Sequence, residues 1–301
     1  MVAQLQKTGK GDAGIGASVA GCLPLEPAAL LVARFRFALG EGLRQAFPDL
    51  PASSRALLAE ASADAMARLQ GCNALYHNYE HTILVTLVGQ QILIGMIAEG
   101  EAVTPSDWLN TIVSLLYHDI GYVRRLCDRD GEDGLVASGI GNERVRPQEG
   151  ASDASLQPFH VNRGKCYVSE RYAGHPVLDV EVIRQNIERT RFPIPSDEAY
   201  LATGDWPGLV RGADLIGQLA DRRYLQKLPA VFYEFEEVGF NQLLGYRTPQ
   251  DLLHGYPAFF EQQVEPWLDE SLAWLKVTGA GRRIVADLYR NVEEARRLSR
   301  R

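Results

Sequence analysis

The stretch "NALYHNYEHTILVTLVGQQILIGMIAEG", Asn73–Gly100, decides the fold. Apolar residues recur along it at i, i+3 and i+4, the period of a helix, and it closes on a glycine, the residue that commonly ends one. Near its start stand His77 and His81, four residues apart, which on a helix lie one turn apart on the same face. The same period runs outward in both directions. Upstream it covers Leu25–Phe47 and Ser53–Leu69. Downstream it covers Thr104–Tyr122, with Ser106 or Asp107 as cap and Gly121 near the end, then Val177–Phe192, Leu209–Gly239 and Tyr256–Arg300. Alternating strand runs, a Rossmann glycine fingerprint, a phosphate-binding P-loop and internal repeats are all missing. The sequence therefore predicts an all-α, multi-helical single domain over residues 25–301.

Two segments stand outside that pattern. Residues 1–24 are rich in Gly and Ala and read as a flexible tail. "SVAGC", ending at Cys22, resembles a lipoprotein cleavage box, but "KGDAGIGA" before it makes a poor signal core. Residues 127–157, rich in Gly, Asp, Ser and Arg, read as a long loop, either a lid or a solvated insertion.

A net charge of −7 argues against a nucleic-acid duplex as partner, although bound metal can still make a site locally positive. The four cysteines form no CxxC pair, so neither a thiolate zinc site nor a disulfide framework is expected, and a reducing cytoplasm fits. The apolar stretches read as too short for a membrane span, so no membrane partner is expected. A homodimer is compatible with these features.

Chemistry gathers at a few positions. His118 and Asp119 form a doublet in "LLYHDIGY", and Asp214 sits in the mainly apolar run "GADLIGQ". A carboxylate placed there needs a compensating partner, and a divalent cation is one. Taken singly each signal is weak, because lone histidines and helix aspartates are usually structural or solvated. In the order HxxxH, HD, AD they gain weight.

That order resembles the HD superfamily of metal-dependent phosphohydrolases, and within it the catalytic domain of the animal-type cyclic-nucleotide phosphodiesterases. "YHNYEH" and "ADL" match that family's signatures, and "RYLQKLPAVFYEFEEVG" and "FFEQQVEPWLDESLAWL" look like its later helices, so the likeness spans roughly residues 75–295. The resemblance implies one or two divalent ions (Zn, Fe, Mn or Mg), with His81, His118, Asp119 and Asp214 as metal ligands and Asp119 bridging to a second ion. It casts His77 as the general acid. The implied substrate is a small-molecule phosphoester, a phosphodiester before a monoester, with cyclic or other nucleotides among the candidates. Glu80 could orient His77 or face solvent, and solvent is the simpler reading.

Three departures limit the substrate reading. Where the phosphodiesterases carry a further histidine after the doublet, this chain has Tyr122. Tyr256 stands at the place of their purine-gripping glutamine, and Ile216-Gly217-Gln218 replaces Ser-Asn-Pro. Gln218 and Tyr256 are therefore candidate substrate contacts. Arg163 and Lys165 are candidate phosphate contacts, against the plainer reading of a solvated basic face. His160 and His175 are candidates for a second metal or for substrate. If both bound metal, the chain would look like a di-iron oxygenase of the HD type. A non-catalytic nucleotide-sensing module is the remaining alternative.

Overall fold

Twelve α-helices follow one another through residues 26–300, the part of the chain described in the computed structural model. The tail and cleavage-box readings lie outside the described residues. The helices are α1 (Pro27–Ala46), α2 (Ala52–Gln70), α3 (Tyr79–Ala98), α4 (Pro105–Tyr117), α5 (His160–Tyr172) and α6 (Val180–Arg189). They continue with α7 (Trp206–Leu219), α8 (Tyr224–Glu237), α9 (Phe240–Leu244), α10 (Pro249–Phe259), α11 (Asp269–Val277) and α12 (Gly279–Ser299). The described sheet is one antiparallel pair of two-residue strands, Val136 opposite Val145 and Ala137 opposite Arg144. The expected all-α class holds.

At the centre lies α3. Its Ile83 and Leu93 belong to an apolar cluster built with α1, α2 and α4–α6. Val85, Val88 and Ile92, from the same helix, belong to a second cluster built with α7, α8 and α10–α12. A helix buried on opposite sides must be apolar all round. By length and hydropathy (1.6) α3 is also apolar enough to cross a membrane, so the expectation that every apolar stretch falls short is corrected. Enclosure by the surrounding helices accounts for its composition, since 61% of its most apolar window is buried.

Element boundaries differ from the sequence reading where polar side chains intervene. The helix read from Asn73 begins at Tyr79, because the Asn78 side chain accepts the Glu80 N–H and caps it there. Thr104, rather than Ser106 or Asp107, caps α4, in a reciprocal capping box with Asp107. Helix α5 falls in a segment with no helical assignment from sequence. Its buried positions include His160 and Arg163, so its apolar period is broken by polar side chains.

The long loop is ordered by one buried residue. Arg163, fully buried, spends all five of its N–H donors. Two go to Asp130, and the others to the carbonyls of Gly121, Val123 and Ala137. Asp130 also accepts the N–H groups of Leu126, Cys127 and Ala137. Burial pushes the Asp130 carboxyl up, but the guanidinium and these donors outweigh it and hold it below its usual range. A second anchor, Asp153, accepts the Asn73 N–H and pairs with Arg124.

Arg163→Ala leaves Asp130 without its buried partner and should cost about 3–5 kcal/mol in urea unfolding. Lys165→Ala, which removes a partly exposed pair with Glu188, should cost about 1 kcal/mol or less. Equal costs for the two variants would contradict this reading of the loop.

Candidate metal centre and cavity

The candidate residues meet at the seam between the two apolar clusters. His81 lies in the first turn of α3, His118 and Asp119 follow the last residue of α4, and Asp214 lies in α7. Glycine permits two of the close approaches that gather them. A Cβ on Gly217 would stand 2.5 Å from Val85 Cα, so this position lets α7 lie against α3 and brings Asp214 to His81. A Cβ on Gly121 would stand 1.9 Å from the His160 carbonyl oxygen, which fixes the start of α5 beside the doublet.

Four side chains converge there. The His81 Nε2 atom is 3.2 Å from His118 Nε2, 3.2 Å from Asp119 Oδ2 and 3.4 Å from Asp214 Oδ1. His118 Nε2 is 3.3 Å from Asp119 Oδ2 and 3.5 Å from Asp214 Oδ1. Adjacent ligands held at about 2.0–2.2 Å from one ion stand about 2.9–3.6 Å apart, and these separations fall in that range. His118 Nδ1 donates to the Leu115 carbonyl at 2.8 Å, which leaves the Nε2 lone pair of the neutral imidazole facing the cluster. Asp119 Oδ2 is buried with no hydrogen-bond partner among the described residues. A buried carboxylate oxygen without a donor, facing two imidazole nitrogens, fits a divalent cation.

The charges carry the same implication. Burial opposes the imidazolium of His118, yet Asp119 and Asp214 raise its pKa well above the ordinary value. Burial likewise pushes both carboxyls up, and the histidines, His118 foremost, hold Asp119 well below its usual range and Asp214 at about 2. Two ionised carboxylates in a buried site demand positive charge. A divalent ion would supply it and displace the His118 proton.

Beside the cluster, His77 precedes α3, so it does not share a helix face with His81 as the spacing predicts. Glu234 places it instead. One Glu234 oxygen is 2.5 Å from His77 Nδ1, while the other accepts the backbone N–H groups of Tyr76 and His77. Burial pulls the His77 pKa down, but the Glu234 carboxylate, helped by Asp119 and Asp214, lifts it to about 9. Sequence reading passes over Glu234, although an acid among the core positions Leu228, Val231 and Phe232 of α8 is the available signal. Glu80 turns away from His77 and pairs with Lys227 at 3.0 Å.

Tyr122 stacks between His77 and His160, with ring centroids 5.0 Å and 4.6 Å away. His160 donates through Nδ1 to the Gln157 carbonyl, leaving Nε2 3.7 Å from Asp119 Oδ1. Burial lowers its pKa, which keeps a lone pair available. His160 and His175, both candidates for a second metal or for substrate, lie apart, and only His160 lines the cavity beside the cluster. His175 Nδ1 accepts the N–H groups of Val177 and Leu178 and lines a separate surface hollow.

Arg163 and Lys165 are also corrected as phosphate contacts, since Arg163 is spent on Asp130 and backbone carbonyls and Lys165 pairs with Glu188. Gln218 and Tyr256 do line the cavity of about 250 Å³ that opens from the cluster. A different group, Cys127, Cys166 and Glu170, also clusters closely. Burial raises the pKa of both thiols there, so they are held as thiols rather than as the thiolates metals prefer.

The model of the Npun_R2479-like family matches residues 25–297, and the chain belongs to that family. No curated protein and no solved structure matches the chain.

Isothermal titration with Mn²⁺ or Zn²⁺ should give at least one tight site per chain. Asp119→Ala or Asp214→Ala should weaken it by at least tenfold, and His175→Ala should leave it unchanged. Equal affinity in wild type and Asp119→Ala would remove Asp119 from the ligand set.

Proposed function

We propose that the chain is a metal-dependent phosphoester hydrolase of the HD type, with a phosphodiester favoured over a monoester. The observation that carries this reading is the convergence of His81, His118, Asp119 and Asp214 within 3.5 Å contacts, beside a histidine held by a buried glutamate. His81, His118, Asp119 and Asp214 would hold a divalent cation, which supplies charge for the phosphoryl oxygens and acidity for water. Hydrolysis forms one bond from a water oxygen to phosphorus and breaks the phosphorus–oxygen bond to the leaving group.

His77 gives that departing oxygen its proton, and Glu234 holds the imidazole in the tautomer and direction needed to do so. A proton donor matters most when the leaving alkoxide is strongly basic. Aryl leaving groups depend on it far less. Tyr122 contributes a flat aromatic wall that keeps the His77 ring in plane. His160, facing the other oxygen of Asp119, is the residue that would contribute to a second ion. The oxygenase alternative calls for two further histidines at the ions, and with His175 engaged elsewhere it has the weaker support.

His77→Ala should retain metal and lose at least a hundredfold in kcat with an alkyl leaving group, but under tenfold with bis(p-nitrophenyl) phosphate. Because His77 must be protonated, wild-type activity on alkyl esters should fall as pH rises through its pKa, which the Glu234 carboxylate raises. In Glu234→Gln, which removes the carboxylate that raises that pKa, the fall should begin at lower pH. Equal losses with both leaving groups, or an unmoved alkaline limb, would overturn the role given to His77.

A further inference from the structure

We propose that the ester accepted by this site carries a short alkyl or aryl group, rather than a nucleoside or a polyphosphate. The proposal rests on the hydrolase reading for the phosphate end, and on the remainder of the cavity for the rest. Away from the histidines and carboxylates, the wall is built by Leu215, Leu228, Val231, Phe235, Leu252 and Phe259, from α7, α8 and α10. Among the described residues no lysine or arginine lines the cavity, and its histidines and carboxylates all lie at or beside the candidate metal cluster. A second or third phosphate needs cationic partners once it leaves water, and none is offered.

Part of the polar lining is also spoken for. Thr190 donates its hydroxyl to the Ile187 carbonyl, and Gln218 lies beside the Tyr224 hydroxyl. Tyr256, where the resembling family has its base-gripping amide, buries its hydroxyl with no partner and packs its ring against Tyr224 at 5.2 Å. Gln157, Gln263 and the hydroxyls of Tyr122, Tyr246 and Tyr256 remain, and these neutral groups offer no charge to a second phosphate.

The rim agrees with the lining. Longer substituents have an apolar way out. Leu243 and Leu244, 77% and 54% exposed, sit on the five-residue α9 and line the cavity as well. Glycines in the left-handed conformation, Gly239 and Gly245, bracket that helix.

The test uses metal-loaded full-length protein and esters sharing one leaving group: methyl, butyl and octyl p-nitrophenyl phosphate, with thymidine 5′-(p-nitrophenyl phosphate) as the nucleoside member. Each methylene that enters the cavity should improve binding up to about fourfold. KM should therefore fall at least tenfold from methyl to butyl, level off toward octyl, and be higher for the thymidine ester, with kcat changing little. Phe235→Gln should raise KM for the butyl ester more than for the methyl ester. Calorimetric binding of methylphosphonate and butylphosphonate provides an arm that needs no turnover. Hydrolysis without chain-length dependence, or with the thymidine ester preferred, overturns the apolar-substrate inference and leaves the hydrolase reading standing. Butylphosphonate binding at least tenfold tighter than methylphosphonate, with no ester hydrolysed, supports the apolar pocket and overturns the hydrolase reading. Equal binding of the two phosphonates overturns the inference by itself.

Discussion

Two carboxylates, Asp119 buried and Asp214 only partly exposed, set the terms for this molecule by facing two imidazoles. The surrounding helices must therefore deliver compensating charge within a few ångströms. The helices do so by crossing closely. His81 comes from the central helix, His118 and Asp119 from the end of α4, and Asp214 from α7. These contacts occur where apolar clusters on either side of α3 press the elements together. The apolar core and the polar centre are thus one arrangement. Displacing α7 from α3 at Gly217 would separate Asp214 from His81 as surely as it would open the core.

Around that centre the supporting shell is unevenly built. His118, His160 and His77 each have one ring nitrogen tied to a carbonyl or carboxylate, which leaves the other free for chemistry. Glu234 reaches His77 from a helix more than 150 residues later in the chain and also takes two backbone N–H groups, so it fixes both the ring and the turn that carries it. Opposite these polar anchors no described lysine or arginine lines the cavity. That asymmetry separates a phosphate end from an apolar end.

Much of this is legible in the sequence because helical period and short polar motifs are local. Asn73–Gly100 announces a buried helix, and HxxxH, HD and AD name the four side chains that converge. What escapes is set by long-range packing. His77 falls off the helix because Asn78 caps it, a choice of one residue that the period does not resolve. Helix α5 is hidden because its inward face holds His160 and Arg163, residues that read as surface polar until their partners are known. The same blindness makes Arg163 look like a phosphate clamp when it is the pin of the long loop. Glu234 escapes because its partner is remote, although an acid among core positions is a physical anomaly that sequence alone can expose.

The central claim is that one divalent ion sits among His81, His118, Asp119 and Asp214. Anomalous diffraction from crystals of the metal-loaded protein, collected on both sides of the metal's absorption edge, tests it directly. The account predicts a single strong peak about 2.0–2.2 Å from the two Nε2 atoms and from one oxygen of each aspartate. A peak among Cys127, Cys166 and Glu170 instead, or no peak at the four-residue cluster, would contradict it.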